Sequence, residues 1–274
     1  MTSPNEGITR SNRTSGLLPV LLFWAGYVAI TLAVGFATAL LIRSEVWQLT
    51  AWGFISSAGL IVLTRFFIKK DAPGGKDPGL AVSRAAWGNL SLGLLIGVVS
   101  FGVHVLIVSL FAGPVRFEVV PGVGAMVVII FFARFLATSC MEEIGFRGYA
   151  LQRLEEGMGT WWAVIVTAVV FGLSHLLYGW SLQTILLGVI PGGLLWGMSA
   201  VATRGIAMPI GLHAAWNFAG WSAGNRSEAG LLSMVIDDDA LARTQMVGTI
   251  SYLVIFVSLT MVFWIVHRRR SRGA

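Results

Sequence analysis

Three short constellations place polar side chains inside otherwise apolar stretches. They are Glu142-Glu143-x-x-x-Arg147, Phe171-x-x-x-His175 and His213-x-x-x-Asn217. An ionisable side chain within a bilayer costs about 2.5–3.5 kcal/mol on insertion scales, so each is a functional candidate by default. Glu143 and Arg147 stand four apart with the acid first, the favourable order for a helical ion pair. Adjacent helical residues point about 100° apart, so that pairing leaves Glu142 to face something else. A carboxylate withdrawn from water is suited to act as a general base. Phe171 and His175 share one helix face, as do His213 and Asn217. Taken singly, each constellation has a bland explanation: an interfacial ion pair, a histidine bonded to a backbone carbonyl, or a hydrogen bond between helices.

Together they say more. A carboxylate, two histidines and a carboxamide from three spans make a polar pocket. There Glu142 could deprotonate water, and His175, His213 and Asn217 could stabilise a tetrahedral oxyanion. This is equipment for amide hydrolysis. The same Glu142, His175 and His213 could instead offer two nitrogens and an oxygen to a zinc ion with one position open, and spacing does not separate the two chemistries. Other intramembrane chemistries lack their residues. The chain has no His-Glu-x-x-His helix, no Gly-x-Ser-Gly run and no pair of aspartates within spans. Cys140, two residues before Glu142, reads as a small packing residue.

The elements that carry these residues follow from composition. Of 274 residues, 56% are hydrophobic and 12% charged, about half the charged share of a soluble chain. Mean hydropathy is +0.79. With 33 Gly and 11 Trp, this reads as an all-α polytopic integral membrane protein, about eight transmembrane helices enclosing a polar cavity. A soluble, disordered or disulfide-built chain is excluded. Eight apolar stretches approach the roughly 20 residues a span needs: Leu17–Ile42, Val46–Ile68, Gly88–Ala112, Val123–Met141, Trp161–Tyr178, Leu182–Ala202, Ile206–Trp221 and Met246–Val266.

Charge orients them. The net charge of +6 comes from basic residues flanking apolar segments, which speaks for membrane topology and against nucleic acid. With a cytoplasmic N-terminus the inner side carries Arg10, Arg13, Lys69, Lys70, Lys76, Arg84, Arg147, Arg153, Arg204, Arg268, Arg269, Arg270 and Arg272. The outer side carries Arg43, Arg116, Arg226 and Arg243. Both termini are therefore expected in the cytoplasm. The expected organisation is a polar tail over 1–16, N-terminal spans over 17–120 and a catalytic helical core over 121–222. An extracytoplasmic loop over 223–243 and a last span with a basic tail over 244–274 complete it.

The three motifs, with the longer run Phe146-Arg147-Gly148, resemble those of the CPBP family, the CAAX-protease and bacteriocin-processing intramembrane endopeptidases also called the Abi family. The resemblance covers roughly Val123–Trp221. It implies a helical fold around a water-filled cavity, with peptide-bond cleavage near the cytoplasmic face. It implies that Glu142 activates water, with Glu143 and Arg147 orienting and supporting it. His175 would position the water or the transition state, and His213 and Asn217 would form the oxyanion site. A glutamate-based mechanism without a cofactor is the expectation, with zinc on Glu142, His175 and His213 left open. The implied partners are membrane lipid and a protein or peptide substrate, lipid-modified in the eukaryotic branch, where three residues after a prenylated cysteine are removed. Composition and the absence of an organelle-targeting signal suggest a bacterial plasma membrane, where relatives are tied to bacteriocin maturation or self-immunity.

Two other classes use the same residues. A non-catalytic immunity or scaffold protein of this fold would bind a peptide in the pocket without needing a base. A transporter could relay protons through Glu142, His175 and His213, but the outer half of the chain offers no matching relay.

Overall fold

The computed structural model describes residues 17–71, 79–225 and 230–272. The polar tail with Arg10 and Arg13, the Pro/Gly-rich connection with Lys76, and Arg226 lie outside the described residues. Long apolar runs make long helices: α1 (Leu17–Leu41), α2 (Glu45–Asp71) and α3 (Arg84–Phe111), the last capped by Ser83, whose hydroxyl accepts the Ala86 N–H at 3.1 Å. Strand β1 (Arg116–Val119) follows, then α4 (Ala125–Arg147), α5 (Tyr149–Met158) and α6 (Thr160–Ser174). A 3₁₀ turn at His175–Tyr178 leads to α7 (Leu182–Thr184), which runs through a π-helical turn, Ile185–Val189, into α8 (Ile190–Thr203). Helix α9 (Ala207–Ser222), strand β2 (Leu232–Val235) and α10 (Leu241–Arg272) complete the chain.

The protein is an all-α polytopic membrane fold. Among the described residues seven helical segments are long and apolar enough to cross a bilayer. The exception is α9, which at 16 residues is shorter than the roughly 20 a span requires. Residues Met208 to Ala215 are buried without interruption, so the helix is enclosed by protein as it runs from the end where Arg270 meets Ala202 to the end where Gly224 packs on Leu232 of the sheet.

Two further differences concern the fourth expected span. Helix α4 does not stop at Met141 but continues to Arg147, because Glu143 and Arg147 neutralise each other inside it. Gly148 ends it: a Cβ there would lie 2.7 Å from the Ile144 carbonyl oxygen. The chain then forms α5, an amphipathic helix that the run of apolar residues did not reveal. The outer connections, expected as loops, pair as a two-stranded antiparallel sheet with Arg116 opposite Val235 and Val119 opposite Leu232. Arg116 bonds Asp237 just beyond it.

The helices that carry the polar residues are seated by glycine. On α3, Gly93 and Gly97 face α9, and a Cβ on Gly93 would come within 2.4 Å of the Met208 carbonyl oxygen. In return, a Cβ on Gly211 would lie 2.3 Å from the Leu90 carbonyl oxygen. Such small-xxx-small seams let backbones approach where no hydrophobic effect between helices is available. Gly53 does the same for α2 against Ala137 and Thr138 of α4, at 2.8 Å.

The bundle has two distinct ends. At one, Arg153 lies 3.7 Å from Asp71, the Tyr149 hydroxyl bonds Asp71, and Arg270 donates to the Ala202 carbonyl at 2.7 Å. At the other are the sheet, the start of α2 and Arg243, which donates to the Ala112 carbonyl at 2.9 Å.

Candidate active site

The three motifs converge at mid-depth. From α4, Glu143 and Arg147 form an ion pair at 3.4 Å with both side chains 0% exposed, while Glu142 keeps 16% exposure. Of the two acids, Glu142 is the one the cavity reaches. From α9, His213 lies between both: Nδ1 is 2.9 Å from Glu143 Oε1 and Nε2 is 3.5 Å from Glu142 Oε2. A carboxylate can only accept from Nδ1, so that nitrogen carries a proton, and Nε2 is the variable one facing Glu142. The Trp196 indole stacks on the His213 ring at 5.2 Å and 15° and fixes its plane.

Arg147 is held from three sides. Its guanidinium meets Glu143, donates to the Gly193 carbonyl at 3.1 Å, and lies 4.5 Å from the centre of the Phe171 ring. Gly193 makes the room: a Cβ there would sit 3.0 Å from Ala168 and 3.3 Å from the guanidinium. Phe171 therefore joins two motifs, covering Arg147 with its ring and contacting the His175 ring at 4.8 Å.

His175 is not within the helix, as the apolar run suggests, but at its end. α6 stops at Ser174 and His175 opens the 3₁₀ turn, closed by Gly179 at φ 76°. Its Nδ1 donates to the Phe171 carbonyl at 2.9 Å. A carbonyl can only accept, so Nδ1 carries a proton and Nε2 is the nitrogen left for the cavity.

Glu142, His175, His213 and Asn217 line one cavity of about 580 Å³. Asn217 stands one turn from His213 on α9. Arg147, counted among the inner-side charges from sequence, is instead wholly inside the protein and contributes nothing to surface charge. Cys140 is half-buried against the core and does not line the cavity. His104 lies apart, 3.2 Å from the Ser251 hydroxyl.

His213 and His175 each direct Nδ1 to an oxygen, of Glu143 and of Phe171, which leaves Nε2 of both rings on the cavity side. Among the described residues no group of three or more His, Cys, Asp or Glu side chains converges as a ligand set.

Residues 124–219 match the family model of Rce1-like type II CAAX prenyl endopeptidases. All three motifs fall within that Rce1-like segment. The match supports a membrane endopeptidase of CAAX-protease type, and the apolar helices make it an integral membrane protein. No curated protein matches the chain. The cavity reaches beyond the matched segment, to Glu45 and Trp52 of α2 and to Tyr252 and Phe256 of α10.

Sequence reasoning missed the aromatic wall. Trp196, Tyr178 and Tyr252 line the cavity, yet an aromatic residue in an apolar helix carries no mark separating lining from packing.

Proposed function

We propose that this protein is an intramembrane endopeptidase that hydrolyses a peptide bond of a membrane-associated or lipid-modified protein or peptide, with Glu142 as the base. The observation that carries the reading is the alignment of the water-accessible Glu142 with the His213 ring, itself anchored by the buried Glu143–Arg147 pair. Glu142 takes a proton from water and the oxygen attacks the scissile carbonyl carbon. The resulting oxyanion accepts hydrogen bonds from protonated Nε2 of His213 and from Asn217. As the C–N bond breaks, Glu142 returns the proton to the leaving amine, giving a carboxylic acid and an amine. His175, fixed by its bond to the Phe171 carbonyl, orients the water through Nε2. Glu143 and Arg147 position His213 and take no part in bond making.

The charge distribution supports a plasma-membrane protein with both termini in the cytoplasm. On this reading no cofactor takes part. Cleavage is therefore expected to survive EDTA treatment. Loss of activity on chelation, restored by zinc alone, overturns the metal-free route.

The test compares peptide termini in membranes of cells lacking the protein, complemented with wild type or with Glu142→Ala at equal expression. Termini that appear only with wild type establish proteolysis and name the substrate. Identical termini, with a Glu142→Ala variant that still protects cells from a bacteriocin, support the binding or immunity role in its place.

A further inference from the structure

The cavity has a floor and a mouth, and they lie toward different ends of the bundle. Its floor is made where Glu142 and His213 meet the buried Glu143, Arg147 and Phe146, the last two 1% exposed. Below that floor, α5 packs Leu151 and Leu154 into the core. At the opposite limit the lining residues are Glu45, the first residue of α2, and Tyr178 and Trp180 in the turn after α6. Tyr178 and Trp180 are 42% and 41% exposed. Between them, Thr138 and Arg134 descend one and two turns from Glu142 toward the start of α4, tracing the passage. The cavity therefore opens toward the end that carries the sheet.

That end is poor in basic residues. It holds Arg43, Arg116 and Arg243 among the described residues, alongside Glu45, Glu118 and Asp237 to Asp239. The closed end holds Lys69, Lys70, Arg84, Arg153, Arg204, Arg268, Arg269, Arg270 and Arg272. The basic end of a polytopic protein stays in the cytoplasm. The aromatic mouth, with Trp52 against Tyr178 at 5.9 Å, suits the level where water meets lipid.

We infer that the cavity opens on the non-cytoplasmic side, so that its substrate is an extended polypeptide segment presented from that side of the membrane. This rests on the endopeptidase reading for the word substrate, and it departs from the cytoplasmic access that the family resemblance implies. The size of the cavity, about 580 Å³, is that of a small-ligand pocket and admits a short unfolded stretch, not a folded domain. A translocated protein with a flexible segment close to the membrane has the required chemistry. The C-terminus of a cytoplasmic prenylated protein lies on the wrong side.

The test reads geometry without needing activity. In a Cys140→Ser background, single cysteines are placed at Glu118 on β1, at Thr138 inside the passage and at Ser271 near the basic C-terminus. Spheroplasts receive a membrane-impermeant maleimide before or after permeabilisation. Glu118→Cys and Thr138→Cys are expected to label fully in intact spheroplasts, with no gain on permeabilisation, whereas Ser271→Cys gains all its label then. Labelling of Glu118→Cys or Thr138→Cys only after permeabilisation overturns the inference, as does a Thr138→Cys that labels under neither condition. A separate arm adds an impermeant quenched peptide library to right-side-out and inverted vesicles. Cleavage only in right-side-out vesicles supports the inference, and cleavage only in inverted ones overturns it. Correct labelling with no Glu142-dependent cleavage in either orientation counts against the endopeptidase reading while leaving the access route standing.

Discussion

Two cavities of similar size lie on either side of a thin wall formed by Gly188, Trp216 and Tyr252. One measures about 580 Å³ and the other about 550 Å³. The first contains Glu142, His175, His213 and Asn217. The second is lined by His104, Gln183, Thr244 and Gln245, with no carboxylate among the described residues that line it. His104 there meets only a hydroxyl, Ser251, and aromatic rings. Volume does not distinguish them. What does is a charged cluster buried beneath one of them, which holds a histidine ring against a water-accessible acid. The proposed hydrolysis uses that arrangement, and a packing void has no need of it.

The comparison is broken most directly by Glu142→Ala. Removing a general base lowers the rate by about 10²–10⁴-fold. The expected outcome is loss of that size in a peptide-cleavage assay, with His104→Ala in the neighbouring cavity staying near wild type. Equal losses would erase the distinction. Beneath the site, Glu143→Leu leaves Arg147 as a buried cation without its acid. Breaking one side of a buried pair destabilises by about 3–5 kcal/mol. Thermal unfolding in detergent, followed by tryptophan fluorescence, should register a marked fall in midpoint. Glu142→Ala, whose side chain is partly exposed, should shift it little.

The helix seam offers a third handle. Gly211→Ala sets a methyl group 2.3 Å from the Leu90 carbonyl oxygen, against backbone that cannot step aside. Overpacking of this kind costs about 1–3 kcal/mol. It should lower both stability and cleavage, because α9 carries His213 and Asn217. Smallest is Tyr252→Phe in the shared wall. It removes a hydroxyl that donates to the Gly188 carbonyl at 2.5 Å. A single hydrogen bond contributes about 0.5–1.5 kcal/mol, so a slight drop in melting midpoint is expected, with cleavage within about twofold of wild type.

The polar residues of the first cavity were legible in the sequence because they are anomalies. Glu142, Glu143, Arg147, His175, His213 and Asn217 stand out against apolar helices, and their i, i+4 spacing already paired Glu143 with Arg147. That Glu143 also reaches His213 was not legible, since a contact between α4 and α9 has no signature in either helix alone. The span pattern was readable where length decided it, as in α1 to α3. At α9 length does not decide it, because a helix buried in protein and a helix buried in lipid are equally apolar. Helix α5 was missed for the opposite reason: its mixed composition resembles a loop. Trp196, which orients His213, could be found only by seeing it stacked.

The π-helical turn at Ile185–Val189 gives that wall its construction. A π turn holds one residue more than the α turn it replaces, so everything on its N-terminal side is rotated by about 100° relative to a continuous helix. Leu186 consequently faces outward and Leu187 lines the second cavity, while Gly188 and Val189 face the site. Deleting one residue there would restore a regular helix and swing the chain before it out of phase. The carbonyl that Tyr252 now grips would turn elsewhere, and the wall between the two chambers would lose that hydrogen bond. One bond of that partition thus depends on a single extra residue in the count of one helix.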